Sequence, residues 1–539
     1  MTSKPPHLSN QTLIDELLAE QGSLTAVERF SQRHAHAEFP LQQQYYRDLL
    51  PLTQPKVGQQ YAFEVDLDKC SGCKACVTAC HSLNGLEENE TWRSVGLLVG
   101  HSRGSEQRTV TTACHHCVDP ACLNGCPVLA YDKHPVTGIV SHLDDQCIGC
   151  QYCVLKCPYE VPQYSKSLGI VRKCDMCSSR LAVNEAPACV QACPNAAIAI
   201  RIVEHSDVVG SYRGDDGATT AFLPTAPNPA YTLPTTKYIT KNAAVSSLEA
   251  ADYNEVRLQP AHLPLMVMLV LMQTATGIYC IHAWLQPSLS SRESFQFLFL
   301  GAICTILGSV ASVFHLGRPK GAWRIFLGWR RSWLSREAIV FGVLVKTALM
   351  ATLLLRRWPE WERLHSGFAW VLVLLSTLGT LASVMVYHDT CRPAWNWKVT
   401  GFKFLGTTIL LGLASVLALG SWTGALPTAL VQPLTTGLFL GSIAKLAWEI
   451  RLLRSWTNSS IQSLRKSAIL SLESVPIITR IRYLLLGVGG IFFTFILLVQ
   501  PQNSKIALAL LVTLLSAEMV ERYLFFTTVA ADKMPGGFR

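Results

Sequence analysis

Apolar positions are spread unevenly along this chain of 539 residues. From residue 263 onward they form blocks near the length of about 20 residues that a helix needs to cross a bilayer. The blocks cover residues 263–285, 295–314, 337–355, 368–387, 403–422, 428–448, 482–499 and 504–525. Small residues recur inside them, as in "GSVAS" and "GVGG", and small residues allow membrane helices to pack closely. The pattern therefore predicts an all-α bundle of eight transmembrane helices.

The first half of the chain has no such blocks. "QTLIDELLAEQ" and "QQQYYRDLLPL" predict two short amphipathic helices that pack on the neighbouring domain or on a partner. "TAFLPTAPNPAYTLPTT" is rich in Pro and Thr and lacks periodicity, which is typical of a linker. We divide the chain into an N-terminal extension (1–60), a cysteine-rich domain (61–204), a linker (205–260), a membrane domain (261–530) and a tail (531–539).

The charge distribution bears on membrane topology. Charged residues make up 15% of the chain, against about 25% in average soluble proteins, and the net charge is +9. Lys and Arg concentrate in the loops at 315–336 and 449–481, so we expect no nucleic-acid partner. Eight helices place these loops and both ends of the bundle on one face. The basic excess predicts a multi-pass protein of the inner (cytoplasmic) membrane whose cysteine-rich domain faces the cytoplasm.

Cysteines are concentrated in the first half. The chain has 19, and all except Cys280, Cys304 and Cys391 lie between Cys70 and Cys193. Those sixteen form four groups: Cys70, Cys73, Cys76 and Cys80; Cys114, Cys117, Cys122 and Cys126; Cys147, Cys150, Cys153 and Cys157; and Cys174, Cys177, Cys189 and Cys193. A secreted disulfide scaffold fits poorly, because "MTSKPPHLSN" has neither the apolar core nor the twin arginine of an export signal.

The spacing of the cysteines favours iron–sulfur clusters. The first group is the C-x2-C-x2-C-x3-C run of bacterial ferredoxins, in which three thiolates bind one cubane and the fourth serves a partner cluster. Zinc sites built from cysteine use two C-x2-C pairs set well apart, whereas the first and third groups have successive two-residue gaps. Four ligands per cubane give four [4Fe–4S] clusters. A membrane transporter or sensor with a cysteine-rich zinc module is the alternative of a different class.

Residues 61–200, with these four groups, resemble the four-cluster electron-transfer subunit of the dimethyl sulfoxide reductase family of molybdoenzymes. The segments "HLGRPKGAWRIFLGWRRSWLSRE", "CRPAWNW" and "ERYLFF" in the second half resemble the eight-helix anchor subunit of the same family. The resemblance implies a fusion of two subunits that are usually separate. The fold class is then an α+β ferredoxin-like tetra-cluster domain followed by an all-α eight-helix membrane bundle.

The resemblance also implies how the cysteines are shared. Cluster 1 takes Cys70, Cys73, Cys76 and Cys193; cluster 2 takes Cys114, Cys117, Cys122 and Cys157; cluster 3 takes Cys126, Cys147, Cys150 and Cys153; and cluster 4 takes Cys80, Cys174, Cys177 and Cys189. Each centre accepts one electron and passes it on, so a row of four conducts electrons. The remaining three cysteines are expected to be packing residues.

The anchor subunits of this family oxidise menaquinol, and they implicate a histidine at the position of His315. Quinol oxidation releases two protons, and an imidazole can accept one. Arg318 and Glu521 are expected to complete the polar pocket. A b-type haem would need two facing histidines, for which His315 and His388 are the candidate pair. Histidines in loops near the interface are commoner than such pairs and no C-x-x-C-H occurs, so we expect no haem.

These expectations define an electron-transfer and anchor subunit that takes electrons from the quinone pool of the bilayer. Clusters and helices use up the chain, so substrate chemistry is expected on a separate molybdopterin subunit, such as a nitrate or S/N-oxide reductase. Two alternatives stay open. A molybdoenzyme dehydrogenase would run the same electron path in reverse and reduce quinone, and a zinc module would carry no electrons at all.

Overall fold

The computed structural model describes residues 12–23, 25–37, 43–100, 106–213, 222–501 and 503–536. The first residues of the N-terminal extension, part of the expected linker and the last residues of the tail lie outside these ranges. The strands are β1 Gln59–Asp66, β2 Ser94–Val99, β3 Gln107–Thr112, β4 Tyr131–Lys133, β5 Val140–His142, β6 Gln163–Ser165, β7 Ile170–Arg172, β8 Ile198–Glu204, β9 Lys237–Ile239 and β10 Glu249–Ala250.

Helices occur in both halves. Those of the first half are α1 Leu13–Gly22, α2 Ala26–Ala35, α3 Gln43–Tyr46, α4 Ala75–Leu83, α5 Ala121–Gly125, α6 Tyr152–Lys156, α7 Ser178–Ala182, α8 Ala188–Gln191 and α9 His205–Arg213. Those of the second half are α10 Leu263–Leu285, α11 Ser291–Val313, α12 Trp333–Arg357, α13 Glu362–His388, α14 Trp397–Thr423, α15 Thr428–Thr457, α16 Gln462–Ile469, α17 Pro476–Gly487, α18 Thr494–Val499 and α19 Ser504–Thr527.

The expected linker contributes to the cysteine-rich domain. Strand β9 pairs in parallel with β1, which also pairs antiparallel with β8, and β10 pairs antiparallel with β2. Phe222, Leu223 and Leu233 from the same stretch are buried among the apolar side chains of the domain. The stretch lacks periodicity because it contacts the domain through single side chains and very short strands. The described part of this segment therefore belongs structurally to the cysteine-rich domain.

The N-terminal extension is helical where the structure describes it. Helix α1 matches the first expected amphipathic helix, and its apolar residues Leu13 and Leu17 are exposed. Helix α2 was not expected; Thr25 and Glu28 form a capping box at its start. The second expected helix is the short α3, which brings Tyr46 into the core of the cysteine-rich domain.

Seven helices among the described residues are long and apolar enough to cross a membrane. They are Leu263–Ser288, Ser291–Val313, Trp333–Arg357, Glu362–His388, Trp397–Thr423, Ala429–Thr457 and Pro476–Val499. Helix α19 has 24 residues and packs on α14, α17 and α10, but Glu518, Glu521 and Arg522 interrupt its apolar sequence. Close packing relies on small residues: a Cβ at Gly277 of α10 would lie 2.2 Å from the carbonyl oxygen of Thr408 on α14.

The loop between α11 and α12 docks on the cysteine-rich domain. A Cβ at Gly317 would lie 2.2 Å from the carbonyl oxygen of Gly169, so only glycine allows this approach. The main-chain N–H of Gly328 donates to the Pro127 carbonyl at 2.8 Å, and the Ser332 hydroxyl donates to the Gly125 carbonyl at 2.7 Å. These contacts hold the loop against the cysteine-rich domain.

Two further regions, the end of α13 and the tail, connect the halves. The buried ammonium group of Lys156 lies 2.7 Å from a carboxylate oxygen of Asp389, which follows α13. After α19 the polypeptide returns to the cysteine-rich domain, where Lys533 pairs with Asp252 at 2.6 Å and the Leu97 N–H donates to the Gly536 carbonyl at 3.0 Å. One main-chain hydrogen bond and one ion pair thus hold the tail against the cysteine-rich domain.

Candidate iron–sulfur centres and the cavity beside them

The four cysteine groups share one turn. In each C-x2-C segment the residue before the second cysteine has a positive φ: Gly72 (71°), His116 (40°), Gly149 (68°) and Met176 (61°). Two of the four are glycine, for which this conformation carries no steric cost, and the other two are held there by burial. The turn directs main-chain N–H groups toward sulfur, as from Gly149 to Cys147 and from Met176 to Cys174, both at 3.4 Å. N–H donors to thiolate are one means by which a protein adjusts the potential of a cluster.

One set of four thiols lines a common cavity. Cys114, Cys117, Cys122 and Cys157 all face it, together with Lys173. Burial raises the pKa of the Cys122 thiol well above its usual value, so thiolates here require a compensating cation or metal centre. The donor set and the shared cavity fit a cubane.

Other thiols are also neighbours in space. Burial raises the pKa of Cys153, and the thiols of Cys150, Cys126 and Cys147 raise it further. The same causes act on the pKa of Cys80, where Cys189 and Cys177 are the neighbouring thiols, and on that of Cys76, where they are Cys193 and Cys70. Within the described ranges no three His, Cys, Asp or Glu side chains converge on a point suited to a single metal ion.

Two buried cations lie between these sets. Burial opposes the charge of Arg93, but Cys189 and Cys76 raise the pKa of its guanidinium group. Burial likewise opposes the charge of Lys173, and Cys114 and Cys122 raise its pKa. A cubane with four thiolates carries net negative charge, and these cations offset it. Neither residue could be predicted from the sequence, because nothing in their local pattern marks a buried cation.

A second cavity lies where the cysteine-rich domain meets the membrane helices. It has a volume of about 210 Å³ and mostly apolar walls from α10, α11, α12 and α13, including Met268, Met272 and Phe341. Its wall on the side of the cysteine-rich domain includes Cys150. A mostly apolar cavity with a few polar groups is the usual form of a site for a small organic molecule.

The polar groups of this cavity include His315, His262 and Glu337. The pKa of His315 is lowered to about 4, mainly by burial and also by the neighbouring His262, while a hydrogen bond with the main chain of Cys150 opposes the shift. The His315 imidazole is therefore neutral. Glu337 is buried, and its only hydrogen-bond partner among the described residues is the hydroxyl of Ser383.

The structure does not bring the three expected quinol residues together. His315 lines the cavity, but Arg318 and Glu521 are not among its walls. Arg318 donates to the main-chain carbonyls of Leu168 and Asp144 at 3.2 and 2.9 Å, because its loop is used for domain docking. Glu521 is held by Lys403 at 2.9 Å and by Arg522. Glu337 and His262 were missed; a lone acid beginning an apolar block was the available signal for Glu337.

Glu521 belongs to a buried ion-pair network between α14, α15, α17 and α19. Its charged members are Lys403, Lys445, Glu449, Arg482, Glu518, Glu521 and Arg522. Glu518 is its centre, with Lys445 at 2.5 Å and Arg482 at 3.1 Å. Each carboxylate has at least one cation beside it, so the network is compensated internally.

The arrangement defines a class of protein: an electron-transfer domain joined to a membrane anchor. Residues 62–127 and 106–202 match two family models described as 4Fe-4S dicluster domains, and residues 259–528, half of the chain, match the model of the DMSO reductase anchor subunit (DmsC). The chain belongs to this DMSO reductase anchor family and carries the iron–sulfur region on the same polypeptide.

Relatives of the iron–sulfur half support this assignment. The probable anaerobic dimethyl sulfoxide reductase protein YnfG of Escherichia coli (strain K12) is 37% identical over 154 residues, which are 27% of this chain and 75% of the relative. A further anaerobic dimethyl sulfoxide reductase polypeptide of the same strain is 38% identical over 144 residues, 25% of this chain and 70% of the relative. The hydrogenase-2 operon protein HybA of Escherichia coli O157:H7 is 34% identical over 171 residues, 27% of this chain and 52% of the relative.

Proposed function

We propose that this chain oxidises a quinol, with menaquinol as the expected species, and passes the electrons through four [4Fe–4S] clusters to a molybdopterin subunit on a separate chain. The observation that carries the proposal is the apolar cavity that has Cys150 in its wall and His315 and Glu337 facing its interior. This juxtaposition puts proton acceptors and an electron acceptor at one small-molecule site. The related dimethyl sulfoxide reductase polypeptides support a molybdoenzyme partner.

The contacts among thiols support the ligand sets that the resemblance implies, and they supply an order. Cys189 neighbours Cys76, which links cluster 4 to cluster 1. Cys174 neighbours Cys114, which links cluster 4 to cluster 2. Tyr131 neighbours thiols of clusters 2 and 3. The proposed route therefore runs from the cavity through clusters 3, 2 and 4 to cluster 1, whose Cys73 is exposed and available to a partner.

The residues of the cavity supply the proton chemistry. A bound cluster provides a one-electron acceptor beside Cys150, and the quinol must lose two protons as its two electrons leave. His315 is neutral and faces the cavity, and Glu337 lies on α12. The apolar walls exclude bulk water, so these side chains receive the protons.

For topology, we propose that α19 is the eighth spanning helix and that the charges in its sequence are accommodated because the ion-pair network neutralises them. Both ends of the bundle then lie on the iron–sulfur side. The basic loops on that side favour a cytoplasmic location. Quinol would be oxidised on the face that receives the electrons, so little charge would cross the membrane during turnover.

The decisive experiment uses the full chain purified in detergent. We expect iron and no stoichiometric zinc by elemental analysis, and bleaching of the visible iron–sulfur absorption on addition of menadiol, a soluble naphthoquinol. Cys150→Ser should lose one cluster's share of iron and the response to menadiol, while dithionite still reduces the remaining clusters. Cys304→Ser, in a membrane helix away from the clusters, is the control. Zinc in place of iron would refute the proposal, and cluster potentials below that of menaquinone would favour electron flow in reverse.

A further inference from the structure

His262 is the second histidine in the wall of the cavity. It directly precedes α10, and its half-buried side chain lines the cavity beside His315. The centroids of the two imidazole rings are 5.1 Å apart, with the rings edge to face. A half-buried histidine in this position lies beside both the cavity and His315.

The backbone holds His262 in an uncommon conformation. Its φ is +50°, in the left-handed region that non-glycine residues rarely adopt. The segment is anchored there, because the Gln259 N–H donates to the Thr527 carbonyl at 3.0 Å and Pro264 opens the helix. On the other side, the ring of Phe526 lies 5.6 Å from the ring of His262. The surroundings thus direct the imidazole toward the cavity.

We propose that His262 is a positioning and proton-relay residue that carries one quinol proton from the cavity to the aqueous face. This inference rests on the proposed quinol oxidation. The quinol O–H bond breaks as an electron leaves for the iron–sulfur cluster, an N–H bond forms on the His262 imidazole, and that N–H bond breaks as the proton passes to water. After two electrons and two protons have left the quinol, the products are quinone, two reduced centres, two released protons and a neutral His262.

The charges around His262 suit this role. Burial lowers its pKa, and the guanidinium group of Arg392 lowers it further, so the ring starts neutral and releases a proton readily. The other titratable groups that share its cavity are His315, Glu337, Cys150, Tyr152 and Tyr387. The Glu337 carboxylate on α12 accepts a hydrogen bond from the Ser383 hydroxyl. It therefore does not neutralise a protonated His262 through a direct contact.

The test compares His262→Gln with His388→Gln in the full chain with its clusters loaded. Glutamine keeps a polar side chain of similar reach but cannot relay a proton. His388 ends α13 on the same face and is not part of the cavity wall, so it is a matched control. Stopped-flow bleaching by menadiol gives the rate, fluorescence quenching by menadione gives the affinity, and added imidazole tests chemical rescue.

We expect His262→Gln to lower the rate of cluster reduction by about 10²-fold, with the affinity for menadione within about twofold of wild type. External imidazole should restore much of the rate, whereas His388→Gln should behave as wild type. An unchanged rate, a loss explained by weaker binding, or a loss that imidazole does not restore would overturn the relay. If the wild-type chain is not reduced by menadiol, the proposed function itself fails and the relay fails with it.

Discussion

Glu337 on α12 and Glu518 on α19 are both carboxylates buried within helices of the anchor domain. Glu337 faces a cavity of about 210 Å³ and is hydrogen bonded to one neutral hydroxyl, that of Ser383. Glu518 is not in the wall of this cavity and is held between Lys445 at 2.5 Å and Arg482 at 3.1 Å. Helices α10 to α13 therefore leave a cavity beside a carboxylate that has no cation next to it among the residues that the structure describes. Helices α15 and α17 instead place cations beside the carboxylate of Glu518.

The difference separates two uses of charge in a membrane. A carboxylate without a cation gains little from being ionised, so it exchanges protons with a bound molecule at small energetic cost. A carboxylate between two cations stays ionised and joins three helices. Breaking such a buried pair leaves an uncompensated charge, which is far more costly than never having the pair. One group is suited to chemistry and the other to holding the bundle together.

The largest effect is expected when a carboxylate of the ion-pair network is replaced by an amide. Glu518→Gln removes the charge between Lys445 and Arg482 and should destabilise the bundle by about 3–5 kcal/mol. The yield of folded protein and its melting temperature in detergent measure this loss. Lys346→Met, which alters a lysine exposed on α12, is the control and should change neither. A Glu518→Gln protein as stable as wild type would remove the structural side of the comparison.

Glu337→Gln should leave the stability of the protein unchanged and lower the rate of cluster reduction. The amide is isosteric and can still accept from Ser383, so the melting temperature should stay close to that of wild type. Menadiol-driven cluster reduction should fall by about 10³-fold, because an amide cannot accept a proton. Stopped-flow absorption measures the rate, and reduction by dithionite checks that the clusters are intact. Full activity in this variant would show that the acid beside the cavity takes no part in proton transfer.

Gly317→Ala tests whether the cavity depends on close docking of the two domains. The added Cβ would lie 2.2 Å from the Gly169 carbonyl oxygen, so the loop carrying His315 must move away. We expect about a 10²-fold loss of menadiol-driven reduction, because a misplacement near 1 Å has effects of that size. Gly367→Ala on α13 is the control, since a Cβ there meets nothing within 4 Å. Equal rates in the two variants would contradict the docking role.

The smallest effect is expected at the tail, where an ion pair lies near water. Burial alone would raise the pKa of Asp252, but hydrogen bonds from Lys533 and the Gly536 N–H hold it below its usual value. A carboxyl whose pKa is lowered in the folded state contributes stability above its unfolded pKa of about 3.9, and that stability is lost as pH falls through the folded value.

Asp252→Asn should therefore cost less than about 1 kcal/mol at pH 7 and nothing at a pH below the folded pKa. Limited proteolysis of the tail at pH 7 and at acidic pH measures the difference. High salt should reproduce part of the effect in the wild-type chain, because the pair is screened, whereas the buried network should not respond to salt. A tail equally protected in both proteins at pH 7 would contradict this assignment.

Much of the fold could be predicted from local pattern. The eight apolar blocks coincide with helical structure except at Phe314, which follows α11, because about 20 apolar residues in a row have few other stable arrangements in a bilayer. The iron–sulfur character followed from cysteine spacing, and the 4Fe-4S dicluster models confirm it. The number of membrane-spanning helices was harder to predict from local pattern. The charged side chains of α19 are compensated by Lys445 and Arg482, which belong to other helices.

The candidate site was harder to predict. His315 was identified from the resemblance and lies at the cavity, but Arg318 and Glu521, which looked equally suitable, serve docking and ion pairing. Nothing local distinguishes a buried acid that has cations around it from one that has none. The same limitation hid Arg93 and Lys173, whose importance comes from thiols far away in the chain.

The order of residues by itself determined the class of the protein. Ligand spacing acts over a few residues and hydrophobic length over about 20, and both are local properties of the chain. Only the tertiary structure decided which acid faces a cavity, which histidines share it and which thiols lie next to one another. Those outcomes depend on distances between side chains that the fold brings together from different helices and loops, and such distances leave no local pattern.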